Sequence, residues 1–125
     1  MPEKNTIYVT IDAPKNMVRL SYFGDIGVDE SRRHEKAISD AIATARPGFC
    51  LLTDLTHLNS MHVGCVPYIV KRMEFARTRG IARVVRIIPD PHKDIGFNIM
   101  SLFHYPRGVQ IITCANQEEA DRALQ

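Results

Sequence analysis

The residues best suited to chemistry fall in two short stretches, 54–65 (DLTHLNSMHVGC) and 89–94 (PDPHKD). In the first, Cys65 follows His62 by three residues at the expected start of a helix, where the helix dipole favours a thiolate. A Cys–His nucleophile needs the imidazole within hydrogen-bonding reach and a third group to orient it, and Asp54 or Asp90 is available for that role. A free cysteine is more often a small buried packing residue, so Cys65 is read first as structural and the chain as a non-enzyme. Four of the five histidines, His57, His62, His92 and His104, lie in or near these stretches. None pairs with another at i, i+4, and the three cysteines, Cys50, Cys65 and Cys114, have neither zinc nor disulfide spacing. No GxSxG, Walker A or GxGxxG pattern occurs, so no metal and no cofactor are expected.

What remains is a surface rather than a catalyst. Both stretches run onto helix N-termini and are rich in hydrogen-bonding groups. The expected partner or ligand surface comprises Asp54, Thr56, Asn59, Ser60, Met61, His62 and Cys65, with Pro91, His92 and Lys93 beside it. Between Lys71 and Arg86 the chain carries six Lys or Arg against the single acid Glu74. That window reads as a solvated helix face. Phe75 is its one aromatic residue, so it lacks the interleaved rings of a nucleic-acid stacking platform, and no nucleic-acid partner is expected.

The elements that must position these residues alternate between strand and helix. TIYVTID (6–12) and MVRLSYF (17–23) alternate apolar and polar residues around an Ala-Pro-Lys-Asn turn, which predicts an opening hairpin. Asp29 is the expected N-cap of a helix whose stripe is Ile38, Ala41, Ile42 and Ala45, ended by Pro47-Gly48. FCLLTD (49–54) predicts a buried strand, followed by a loop over 54–64. A second helix carries Val66, Ile69, Val70, Met73 and Ala76 inward, with Pro67 in its first turn and Gly80 at C′. ARVVRII (82–88) is the next strand, in which Arg86 sits oddly for a covered position. A helix from about Asp94 to His104 follows, apolar almost all round, then a strand at VQIITC (109–114) and a short helix over 117–124. The order ββαβαβαβα predicts one α/β domain spanning 1–125, with a mixed, mostly parallel sheet and four helices. At 45% hydrophobic residues, net charge +2 and no apolar run near the ~18 residues of a membrane span, the expectation is a cytoplasmic globular domain.

This order, together with FCLLTDLTHLNSMHVGCVPYIVKRMEFARTRG and the following ARVVRIIPD, resembles the STAS domain superfamily, and within it the SpoIIAA-like, anti-sigma-factor-antagonist branch. The resemblance runs from Ile7 to Leu124 and implies a regulatory protein-interaction module, with a regulatory kinase or an anti-sigma-like protein as partner. In that family a serine or threonine at the start of the second helix, usually within Asp-Ser-Ser/Thr-Gly, accepts a phosphoryl group. Counting from Asp54, the acceptor position here falls at Val63-Gly64, which has no hydroxyl. Ser60 is the nearest substitute and Thr56 lies further back, so the phospho-switch is expected to be altered or absent. Some relatives of this fold bind lipids or small apolar ligands. The alternative function is therefore a ligand pocket lined by Ile95, Phe97, Ile99, Met100 and Phe103, although core and homodimer contacts are the preferred reading of those residues. An enzyme built on Cys65 and His62 ranks third.

Overall fold

The opening hairpin forms between β1 (Thr6–Asp12) and β2 (Met17–Ile26) in the computed structural model, which describes residues 4–90, 105 and 108–125. Asn16 closes the turn in the left-handed region (φ 51°), a conformation its short polar side chain tolerates. Its side-chain amide also exchanges two 3.0 Å hydrogen bonds with the Arg46 backbone, and its carbonyl accepts from Cys50 N–H. One turn residue thus ties the hairpin to the end of the first helix and the start of the third strand.

After the hairpin come α1 (Val28–Thr44), β3 (Cys50–Met61), a 3₁₀ turn (Val63–Cys65), α2 (Val66–Thr78), β4 (Arg83–Ile87), β5 (Gln110–Cys114) and α3 (Gln117–Ala123). The five strands among the described residues form one sheet in the order β1-β2-β3-β4-β5, antiparallel between β1 and β2 and parallel elsewhere. The mixed, mostly parallel sheet is the one expected. Three α-helices lie among the described residues where four were expected. The helix expected over 94–104, with Ile95, Phe97, Ile99, Met100 and Phe103, and the loop residues Pro91, His92 and Lys93 lie outside the described residues.

Alternation along the strands sorts the core into two layers. Val18, Leu20, Leu51, Leu55 and Val84 pack with Ile38 and Ile42 of α1 and with Ile69 and Met73 of α2. The residues between them, Cys50, Leu52, Val85 and Ile87, pack with Cys114 and with Ala120 of α3. The α1 stripe is buried as its 3.6-residue spacing predicts. Its N-cap, however, is Gly27 rather than Asp29. The Glu30 carboxylate reaches back to accept the Gly27 N–H at 2.7 Å, which puts Asp29 and Glu30 within the first turn. Pro67 in the first turn of α2 and Gly80 after its end (φ 87°) stand where expected.

The main correction concerns β3. The strand continues past Asp54 to Met61, through residues expected to form a loop. Its first part, Cys50–Asp54, lies between β2 and β4, whereas His57–Met61 pairs, among the described residues, with β2 alone. Two register shifts, between Ser21 and Phe23 and between Gly24 and Asp25, keep that pairing going. Gly24 is required at the second: its φ is 77°, and a Cβ there would stand 2.1 Å from the Lys4 carbonyl oxygen.

Arg86, the residue that fitted poorly in a covered strand, is 2% exposed on the side of the sheet facing α2. With Tyr22, Thr53, Arg72 and Tyr105 it lines a cavity of about 20 Å³. Burial pushes the Tyr105 phenol up to about 12, while the charges of Arg86 and Arg72 pull it the other way. Leu52→Ala, at a fully buried position, is expected to lower stability by about 2–5 kcal/mol. Ile11→Ala, at an edge-strand position 47% exposed, should change it by no more than about 0.5 kcal/mol, and urea midpoints with matched slopes compare the two.

Candidate functional site

The extension of β3 beyond β4 carries most of the residues expected to form a surface. Asp54 stands at its root, paired in register with Ile87 at the end of β4. One carboxylate oxygen accepts from Arg19 Nη2 at 2.6 Å, and the other accepts the Thr56 N–H at 2.9 Å and the Thr56 hydroxyl at 2.5 Å. Arg19 also donates to Gln117 of α3 at 2.7 Å and to Ser21 at 3.3 Å. With side chains 12% and 30% exposed, Asp54 and Arg19 form a partly screened pair that ties β2, β3 and α3 together. Asp54 and Thr56 are therefore held by one another and serve as struts for the extension.

Further along, Phe23 stacks on His57 with ring centroids 4.9 Å apart and planes 9° from parallel, and Tyr8 meets Phe23 edge-on at 5.4 Å. This row across β1, β2 and β3 was not anticipated. The hairpin periodicity put Tyr8 and Phe23 on strands, but His57 joins them only because β3 continues and its register shifts.

At the outer end, Asp25 gathers Asn59 and Ser60. A single carboxylate oxygen accepts from Asn59 Nδ2 at 2.6 Å and from the Ser60 hydroxyl at 2.7 Å. Those bonds, with Ser60 first, hold the exposed Asp25 carboxyl below its ordinary value, and Lys4 adds to the effect. Asp25 was absent from the expected set. Its strand position was legible as part of β2, but its pairing with Ser60 depends on the register shift beside Gly24.

The chain then turns into α2. The His62 N–H bonds to the Ile26 carbonyl, and its Nδ1 accepts the Gly64 N–H at 2.9 Å, capping the 3₁₀ turn. That bond requires an unprotonated Nδ1. Val63 projects from the turn with 75% of its surface exposed, and Met61 is half-buried against the main core. Cys65 is fully buried, and its thiol points to the Ile26 carbonyl at 3.6 Å. The surface role expected of Cys65 is thus corrected: its side chain packs inside. Asn59, Ser60 and His62 remain exposed at one end of the sheet, with Asp25 and Val63 added.

The basic window does not form one patch. Lys71 pairs with Glu35, Arg77 with Glu74, Arg79 donates to the Ala43 carbonyl, and Arg86 is buried. No group of three or more His, Cys, Asp or Glu able to hold a metal ion occurs among the described residues, and no helix there is long and apolar enough to cross a membrane. Burial pushes the Cys50 thiol up to about 11 against the opposing charge of Arg83, and raises Cys114 as well.

Two expectations follow. Iodoacetamide at neutral pH should leave all three thiols of the native protein intact and alkylate them after denaturation, as peptide mass mapping would show. The Asp25 carboxyl, followed by carbon NMR, should titrate below the ordinary aspartate value and move up towards it in Ser60→Ala. Because its folded value is depressed, whatever stability it contributes is present above the unfolded value and lost as pH falls through the folded one.

No protein-family model matches the chain, and no curated protein matches its sequence. Solved structures do match. A protein from Shewanella loihica with a SpoIIAA-like fold superposes with a TM-score of 0.73 at 14% identity, over 100% of this chain and 98% of that one. An anti-sigma-factor antagonist (STAS) domain protein from Planctomyces limnophilus gives 0.67 at 15% identity, over 98% and 100%. The phosphorylated form of the Bacillus cell-fate determinant SpoIIAA gives 0.65 at 17% identity, over 95% and 99%. With TM-scores of 0.65 to 0.73 and likeness along essentially the whole length of each, the chain has the STAS, SpoIIAA-like fold.

Proposed function

We propose that this protein is a non-enzymatic regulatory module of the cytoplasm that binds a protein partner through the outer end of β2 and β3 and the turn into α2. The observation that carries the reading is the exposed Ser60 hydroxyl bonded to Asp25, four residues before Gly64 and three before the exposed Val63. The fold supports it, since SpoIIAA is an anti-sigma-factor antagonist known in phosphorylated and unphosphorylated forms. Here Val63 and Gly64, at the position where the resemblance puts the phosphoacceptor, have no hydroxyl. In this reading Ser60 takes over that role in a displaced switch. A phosphoryl group on Ser60 removes the proton that it shares with Asp25 and sets a charge of about −1.5 to −2 against the carboxylate. Repulsion then opens the Asp25–Asn59–Ser60 cluster and changes the surface offered to the partner. The buried Cys65 thiol and the His62 Nδ1 committed to Gly64 favour an interaction module over a Cys–His enzyme.

The test is to capture partners from the host's own lysate with the tagged protein and its variants. Ser60→Asp and Val63→Asp should each lose a partner retained by wild type and by Lys36→Gln, whose side chain is 88% exposed on α1. If every partner stays with all four proteins, the assigned surface is wrong. Intact mass of the protein from its host should show a fraction about 80 Da heavier, with the addition mapping to Ser60.

A further inference from the structure

Away from that end of the sheet, α1 and α2 leave a groove of about 190 Å³ between them. Ile38 and Phe75 are the apolar residues of its lining, Ser39 and Tyr68 add hydroxyls, and Glu35, Lys71 and Arg72 add one negative and two positive charges. We propose that this groove binds a small monocarboxylate, with its ring or short alkyl chain between the helices and its carboxylate on Arg72. The proposal is independent of the partner surface.

Size selects the first half of this ligand. A cavity of about 150 Å³ holds benzene, while drug-sized ligands need about 300 Å³ or more. The groove therefore suits a single ring or a chain of about six carbons, and it is too small for a nucleotide or a long acyl chain.

Charge selects the second half. Arg72 Nη1 donates to the hydroxyl of Tyr22, a neutral acceptor, and among the described residues no carboxylate pairs with Arg72. A guanidinium has five N–H donors in a planar fork that matches a carboxylate. The bond to buried Tyr22 holds that fork in place, so little freedom is lost when an anion arrives. Lys71 lies beside it, bound to Glu35 at 3.1 Å with the two side chains 77% and 36% exposed. An ion pair that open contributes little to stability and can yield its cation to a ligand. Arg32, whose Nε lies 3.4 Å from the Tyr68 hydroxyl, adds positive charge near the same groove. A neutral apolar ligand would leave the Arg72 donors unused, and a cationic one would meet two cations, Lys71 and Arg72, against the single Glu35 carboxylate.

The probes are hexanoate and phenylacetate, with hexanol and phenethyl alcohol as neutral counterparts, titrated into the full-length protein and followed by nitrogen–proton NMR. Saturable shifts are expected at Ile38, Ser39, Tyr68 and Phe75, with dissociation constants on the order of millimolar or tighter for ligands of so few atoms. Each alcohol should bind at least about tenfold more weakly than its acid. Arg72→Gln should weaken the acids by about ten- to hundredfold and leave the alcohols nearly unchanged. Ser39→Leu, which fills the groove from its edge, should weaken acids and alcohols alike. Should Arg72→Gln disturb the Tyr22 contact and misfold, the acid–alcohol comparison on wild type together with Lys71→Gln decides the question. The proposal is overturned by an absence of saturable shifts at tens of millimolar, by shifts centred on other residues, or by equal affinity for acid and alcohol.

Discussion

Past Asp54, β3 has a neighbouring strand on one side only among the described residues, and the properties of the candidate site depend on how its backbone copes with that. The first part of the strand is covered on both faces, by Leu51 and Leu55 on one and Cys50 and Leu52 on the other. The second part keeps its ladder hydrogen bonds by following β2, which runs to Ile26. The two strands do not match residue for residue over that length, and the mismatch is absorbed at two register shifts. A glycine in the left-handed region is needed at one of them because the Lys4 carbonyl lies where a side chain would start. From this single accommodation follow the meeting of Asp25 with Asn59 and Ser60, the stacking of His57 on Phe23, and the shared use of the Ile26 carbonyl by the His62 N–H and the Cys65 thiol.

The polar groups divide by depth, and the division suggests what each can do. Asp54 is largely shielded and Arg19 partly so, and both are hydrogen-bonded on several sides, so removing one partner leaves donors or acceptors unsatisfied; such networks hold elements in place. Asp25 and Ser60 are open to solvent, where rearrangement costs little and a change of charge is felt at once. Arg72 lies between these extremes, held by a neutral phenol at the edge of an apolar groove. Structural polarity at the root of the strand, adaptable polarity at its end and a cation bonded to a phenol beside a cleft are three different uses of polar side chains.

How much of this was legible beforehand depended on whether the local period survived. Strict alternation in Ile7–Val9–Ile11 and Val18–Leu20–Tyr22 was enough for the hairpin, and the spacing of Ile38, Ala41, Ile42 and Ala45 was enough for α1. In β3 the buried Leu55 and Leu58 are three residues apart, with exposed Thr56 and His57 between them. A bulged strand thereby looks like a polar loop. The N-cap shifted from Asp29 to Gly27 for a related reason: the bond that determines it comes from a side chain three residues later, and several nearby acids could have supplied one.

The one-dimensional pattern determined the class of fold, because apolar periodicity and turn chemistry are local and additive. It also identified Ser60 and His62 as surface candidates, since hydroxyl and imidazole groups in a polar stretch before a helix are visible without coordinates. Tertiary structure decided the partners. Asp25 lies 35 residues from Ser60, Arg19 lies 35 from Asp54, and Tyr22 lies 50 from Arg72. Which of many similar groups meet across such separations depends on strand register and on crossovers between layers. A one-residue slip sends a side chain to the opposite face of the sheet, and composition carries no record of that choice.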